Sequence, residues 1–234
     1  MKKLMTFGLA IMLFVAAVSV NSPTTVNAQS AGLVSSLLNR MERNRQSLKS
    51  LRAAISMEKY NAQIRDTDRY QGVVLYVPAA GRNAYVRVDW DKPQHEVLAV
   101  ANGKYVLFRP RLNMAYEGNA RSNKNKVGGA FDFLRMSRQE LTSRFEQPQD
   151  VSSETLWGGV RTTHLKLVPK AGAGYSFKYA EVWVDESGMP VQTKVVEQND
   201  DHTVVRLTNL ERNAGISLDQ FNVQLDKNVK RVKA

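Results

Sequence analysis

No cysteine occurs anywhere in this 234-residue chain. That excludes a disulfide scaffold, a lipobox with its lipid anchor, and the paired-cysteine spacing of a zinc site. Histidine is scarce as well, limited to His95, His164 and His202. His95 falls in a turn before a strand, and His164 shares the charged face of its strand with Lys166. His202 follows Asp200 and Asp201 at a hairpin tip, where turn chemistry selects the same residue types that a metal would. Neither a His-Glu-x-x-His helix nor a Gly-x-Ser-x-Gly nucleophile elbow is present. Gly128-Gly129 and Gly172-Ala173-Gly174 are too short and misplaced to cradle phosphate. The expectation is no enzyme, with no catalytic residue, no metal and no cofactor; only scattered carboxylates that spacing cannot pair leave room for catalysis.

Acidic side chains are also in deficit, with 22 Asp and Glu against 33 Lys and Arg, a formal charge of +11. Long hydrophobic runs are confined to one place. Leu4 to Val20 is apolar except for Thr6, Gly8 and Ser19, follows Lys2 and Lys3, and leads to Val26-Asn27-Ala28. A basic start, an apolar stretch of about 17 residues and small residues at a cleavage site define an export signal rather than a permanent span. The expected division is residues 1–28 as a signal peptide cleaved after Ala28, and 29–234 as one exported, soluble, periplasmic domain. Export makes nucleic acid an unsuitable partner. It leaves anionic lipid head groups, anionic envelope polymers or an acidic protein for the surplus positive charge.

The mature chain reads as one domain without repeat, linker or low-complexity tract. From Ala31 to about Ser50, Leu33, Leu37, Met41 and Leu48 recur at helical spacing, with Val34 and Leu38 widening the stripe. Arg40 and Arg43 flank it on one side, Arg45 and Lys49 on the other. Near Leu51 the period changes to two, and strands in hairpin succession follow: Ala53–Met57, Val73–Val77 after the polar turn Arg65–Asp68, Ala84–Trp90 after Gly81-Arg82-Asn83, and Val97–Ala101 after Asp91-Lys92-Pro93. Asn102-Gly103 is the strongest short hairpin signal, with Lys104–Arg109 as the return strand. Residues 122–129 read as a mobile loop. Phe131–Leu134 forms one helical turn, and Ser137 with Glu140 makes a capping box for a short helix to about Phe145. A meander of Val160–Val168, Ser176–Val184, Val191–Glu197 and His202–Leu210 then leads to a last extended piece, Phe221–Leu225, and a basic tail.

These elements predict an α+β chain: a long antiparallel sheet of roughly ten strands that curls because strand twist accumulates, with few helices across its open mouth. Its apolar faces are aliphatic: Val73, Leu75 and Val77; Val86, Val88 and Trp90; Leu98; Val106 and Phe108; Val182 and Val184; Val195; Val205. Ordinary core explains such faces. Two helices, however, supply too few side chains to fill the concave side of so long a sheet, which leaves an apolar cavity suited to an apolar ligand. With Leu37, Met41, Phe131 and Leu134 from the helices, these residues are the expected lining.

Several of these segments resemble those of the periplasmic lipoprotein carrier family LolA and its relatives, which include the outer-membrane receptor LolB. The order is similar: signal peptide, amphipathic helix, a strand ending in Pro78, a strand with Trp90 followed by Pro93, and the Asn102-Gly103-Lys104 hairpin before an aromatic strand and Pro110. Val196–Leu207 resembles the family's Glu-Gln-acidic hairpin and alternating strand, and Ile216–Val223 its closing element with a buried aromatic. The resemblance implies an incomplete antiparallel barrel with helices as a lid over an apolar cavity that carries lipoprotein acyl chains to the outer membrane. It also implies an inner-membrane release transporter and an outer-membrane acceptor as partners. Acylated lipoproteins or other lipids are then the expected cargo, with transient contact to an anionic membrane and a monomeric state. A lipid sensor on the same fold that contacts a membrane regulator is the alternative. One departure stands out: where the family carries a lid-latching arginine before the strand's proline, this chain has Val77, and Arg82 lies across the turn.

Overall fold

A computed structural model describes residues 25–79, 84–120 and 129–233. The expected signal peptide, the Gly81-Arg82-Asn83 turn and nearly all of the expected loop at 122–129 lie outside them. Among the described residues no helix is long and apolar enough to cross a membrane.

Helix α1 (Thr25–Ser47) starts upstream of Ala28 and runs without a break. It ends where its last turn is handed to the sheet. Lys49 N–H donates to Asn213 Oδ1 at 2.7 Å, and Ser50 Oγ donates to the Ala214 carbonyl at 2.5 Å. The chain then extends immediately as β1 (Leu51–Asn61), whose first five positions alternate between buried and half-buried as the period of two predicts.

Eleven further strands follow: β2 (Asp66–Pro78), β3 (Ala84–Lys92), β4 (Glu96–Ala101), β5 (Lys104–Arg109), β6 (Met114–Asn119), β7 (Gln149–Leu156), β8 (Val160–Leu167), β9 (Phe177–Asp185), β10 (Pro190–Glu197), β11 (His202–Arg212) and β12 (Lys230–Lys233). All twelve form a single sheet in the order β12-β6-β5-β4-β3-β2-β1-β11-β10-β9-β8-β7. Every neighbouring pair is antiparallel except β12 with β6. The sheet is large and curled, and β12 and β7 remain as separate edges, so the barrel is incomplete. Two short helices, α2 (Gly129–Arg135) and α3 (Arg138–Arg144), join α1 on the inner side.

Local chemistry explains the sharpest corners. Asn102 and Gly103 both have positive φ, 52° and 74°, as a two-residue primed hairpin requires. Ser137 Oγ accepts from Glu140 N–H, and the Glu140 carboxylate accepts from Ser137 N–H, which is the capping box read from sequence. Three strands escaped the sequence reading. Strand β7 is a polar edge strand with mostly exposed residues, so no alternation marks it. Strand β6 carries Gly118, and β12 consists of four residues that exist as a strand only because Lys230–Lys233 pair with Met114–Glu117 far away in sequence. Conversely, the extended piece expected at Phe221–Leu225 is a correction. Phe221 ends a 3-10 turn, Leu218–Phe221, opened by Ser217 as its cap, and the residues after it are irregular. Strand β2 also begins at Asp66, inside the expected turn, because it pairs with the full length of β1.

Candidate functional site

Across an antiparallel pair, residues directly opposite each other point to the same side of the sheet. Starting from Ala53 and Ile55, the registers extend one face over the molecule. Leu51 faces Tyr76 and Ala53 faces Val74. Val74 faces Val88, Tyr76 faces Val86, and Val88 faces Leu98. In the other direction Met57 faces Val205, Val205 faces Thr193, Thr193 faces Val182, and Val182 faces Leu165. This inner face meets the helices in two apolar clusters. One joins Leu48, Phe131 and Leu134 to Ile55, Val74, Tyr76, Val86, Val88, Trp90, Val205 and Leu207. The other joins Leu37, Leu38, Met41, Phe133, Met136, Leu141 and Phe145 to Leu165, Leu167, Ala180, Val182 and Val184, with Val195 packed against it.

Most of the expected lining is therefore on the inner side: Leu37, Met41, Val86, Val88, Trp90, Leu98, Phe131, Leu134, Val182, Val184, Val195 and Val205. Five residues are not. Val73 faces Asp89, Leu75 faces Arg87 and Val77 faces Tyr85, so all three point to the outer side, where Val73 is 39% exposed. Val106 faces Ala99 and Phe108 faces Val97, again on the outer side. There the 3-10 turn at Leu218–Phe221 covers β3 and β4, with the Phe221 ring 5.6 Å from Tyr85 and the Gln220 carbonyl accepting from Arg87 at 2.7 Å. The inner residues missed in sequence, Val74, Tyr76 and Leu107, sit in runs apolar at both parities, where alternation cannot choose a face. Leu165, Leu167 and Ala180 alternate cleanly with polar residues; that parity was the signal for them.

Among the described residues the inner side is packed with the protein's own side chains. The space beneath α2 is a cleft of about 10 Å³, partly open to solvent, between Phe131 and Leu134 above and Pro190, Val191, Thr193, Val205 and Leu207 below. Sites that hold a drug-sized ligand run to roughly 300–1,000 Å³. A guest at this cleft would have to displace part of the helical cover.

That cover is held by a few identifiable contacts. Residue Gly188, in the β9–β10 turn with φ +90°, lets α1 approach so closely that a Cβ there would lie 2.3 Å from the Arg40 carbonyl oxygen. Asn44 Nδ2 donates to Met189 Sδ at 3.4 Å, and Arg40 reaches Thr163 Oγ1 at 3.5 Å. Between α1 and α3, Arg138 N–H donates to Glu42 Oε2 at 3.0 Å, and the Arg138 guanidinium bonds the Asn39 side-chain oxygen. Hydrogen bonding to Arg45 holds the Glu42 carboxyl down at about 2 against partial burial, with the Arg138 N–H lowering it further. Helix α3 is also fastened to the sheet rim: Phe145 pairs with Pro169, Lys170 N–H donates to the Arg144 carbonyl at 2.8 Å, and Tyr175 stacks on Phe145. Beneath the cover lies Tyr76, almost fully buried, whose phenol is pushed up to about 12, chiefly by burial.

His164, Asp200, Asp201 and His202, weighed for chemistry, have structural partners, while His95 is exposed. Asp200, at φ 66°, pairs with Lys178 at 2.8 Å, Asp201 Oδ1 accepts from Ala62 N–H at 2.7 Å, and His202 stacks on Tyr60. His164 lies on the outer face between Glu154 and Glu181, 3.4 Å and 3.2 Å away. Among the described residues no group of three or more His, Asp or Glu is placed to hold a metal.

The fold has solved counterparts. An uncharacterized conserved protein from Thermus thermophilus superposes with a TM-score of 0.53 at 12% identity, covering 86% of this chain and 99% of that one. MucB gives 0.51 at 12% identity, over 82% and 63% of the two chains. LprF from Mycobacterium bovis gives 0.50 at 11%, over 80% and 96%. At these identities the likeness is one of fold. A comparison with curated protein sequences gave no match. The family model of the outer membrane lipoprotein carrier protein LolA matches residues 79–224, from the start of the β3 hairpin to the segment that closes the outer face. The chain belongs to the LolA family.

Proposed function

We propose that this protein is a soluble periplasmic carrier that shields the acyl chains of lipoproteins, or of other lipids, and passes them towards the outer membrane. The observation that carries this reading is the apolar inner face of an unclosed sheet, covered by short helices whose Phe131 and Leu134 stand where a guest would lie. Each methylene left in water costs about 0.8 kcal/mol, so an acylated protein needs such a shield to cross an aqueous space. An acyl chain has no hydrogen-bonding groups, so a lining of valine and leucine suits it without fixed geometry. The closed state is one end of a two-state equilibrium that occupancy shifts towards an open one. Release then depends on a tighter-binding acceptor, which fits a release transporter at the inner membrane and a receptor at the outer one.

The exported protein, purified natively and extracted for mass spectrometry, is expected to carry lipid or acylated protein, and the emptied protein to bind a fluorescent acyl probe saturably. A folded protein that binds no apolar probe contradicts the reading. Crosslinking in cells separates it from a lipid sensor on the same fold: a carrier captures many acylated proteins transiently, whereas a sensor holds one stable regulator.

A further inference from the structure

The β7–β8 turn places a tryptophan where folding has no use for one. Gly159 N–H closes the turn on the Leu156 carbonyl at 3.1 Å, and Gly158 and Gly159 have φ of +86° and +75°. With a glycine at positive φ as its third residue, such a turn commonly takes proline at the position before Gly158 and has no need of a large aromatic there. It holds Trp157, which is 87% exposed, whereas Trp90 and Trp183 are each only 8% exposed. A Cβ built on either glycine meets nothing within 4 Å, so the glycine side of the tip faces open space. Val160 beside it is also exposed, and Leu156 packs against the same apolar cluster as Phe131, Leu134 and Val191. The apolar tip is thus continuous with the cluster that surrounds the cleft. Leu156–Arg161 contains no acid. Arg161 pairs with Glu186 at 2.9 Å, but its side chain is 76% exposed, and a surface pair of this kind contributes little and exchanges readily for lipid phosphate. The Arg206 guanidinium braces the tip by bonding the Trp157 carbonyl.

We propose that the Leu156–Arg161 tip is a membrane anchor: Trp157 enters the head-group layer of an anionic bilayer, Arg161 meets lipid phosphate, and the cleft is brought to the surface where an acyl chain is collected or delivered. This rests on the carrier reading. An indole with an apolar body and a polar edge favours the bilayer interface, and a nearby arginine adds attraction to anionic lipid. A protein partner fits less well, because a hot-spot tryptophan works inside a ring of surrounding contacts that a bare Gly-Gly tip does not offer.

The test uses vesicles of phosphatidylethanolamine and phosphatidylglycerol with brominated acyl chains, which quench indole fluorescence on contact. The exported protein is expected to partition onto them with quenching of Trp157. Trp157→Ala is expected to weaken partitioning about tenfold and to remove the Trp157 share of the quenching while any from Trp90 remains, Trp157→Phe to recover part of the partitioning, and both to bind a soluble acyl probe as the unchanged protein does. Equal partitioning by Trp157→Ala, or vesicle binding that leaves Trp157 unquenched, overturns the anchor while leaving the carrier intact. Loss of probe binding by the unchanged protein, with vesicle quenching retained, overturns the carrier and leaves the anchor.

Discussion

Val73 and Val74 are adjacent, chemically identical and opposite in role. Val74 is fully buried against Ala53 and Val88, while Val73 faces Asp89 on the outer side. Val73→Glu is therefore expected to leave acyl-probe binding and thermal stability nearly unchanged. Val88→Glu places an unpaired carboxylate in the inner cluster, a cost of several kcal/mol, and abolishes binding. Probe titration and thermal melting of the two variants check this, and equal effects contradict the assignment of faces. Where polar residues alternate with apolar ones, as in Ala84–Trp90, the inner face was readable in advance. In Val73–Val77 and Tyr105–Phe108 both parities are apolar, and only the register with β1, β3 and β4 decides. At Phe131, truncation to Ala should cost about 3–5 kcal/mol of stability while tightening probe binding, because the side chain occupies the guest's place. Weaker binding by a folded Phe131→Ala variant counts against that role.

The three helices owe their positions to contacts of different strength. The capping box was legible because it is local, and so was the stripe at Leu37 and Met41, whereas Leu33 is 41% exposed and Leu48 falls past the end of α1. The seat of α1 was not legible, since it depends on Gly188 approaching Arg40 across the fold. Gly188→Ala brings a methyl group into the α1 backbone at a positive φ, so it should lift α1 and raise the uptake of an apolar dye. Gly72→Ala is a different case: its Cβ would meet the Asp89 carbonyl at 2.1 Å, inside the β2–β3 ladder, and should reduce folded yield instead. The tie between α1 and α3 is sensitive to acid. A carboxyl held below its ordinary pKa contributes stability above that value and loses it as pH falls. For Glu42 this window runs from 4.5 down to about 2. The Arg45 pair lies within α1 and survives opening, whereas the Arg138 N–H bond crosses to α3 and does not. Only the share of the lowering owed to the Arg138 N–H is lost on opening, so dye uptake should rise modestly towards the acid end of that window, and Glu42→Gln should take up more dye at neutral pH with a smaller acid-induced rise. Identical profiles for the two proteins contradict this link.

The whole molecule is one large sheet with a small helical cover. Among the described residues twelve strands form one open sheet beside three helices, and this proportion was already visible as many alternating segments beside few helical ones. The added strands β6, β7 and β12 came from long-range pairing and polar edges, for which a single sequence gives no periodic signal. What the proportion could not reveal is that, among the described residues, side chains of the cover pack against the inner face. The cleft of about 10 Å³ beneath α2 is too small for an acyl chain, so on the carrier reading loading there requires the cover to move. The three tryptophans allow that event to be located: Trp90 lines the inner face, Trp183 lies on the outer face against His164, and Trp157 stands at an exposed tip. The decisive measurement is fluorescence quenching by a soluble brominated acyl chain in two single-tryptophan proteins, one keeping Trp90 and one keeping Trp183. Saturable quenching of Trp90 with Trp183 unaffected is the predicted result; equal quenching of both, or of neither in folded protein, would contradict an acyl chain held beneath the helices.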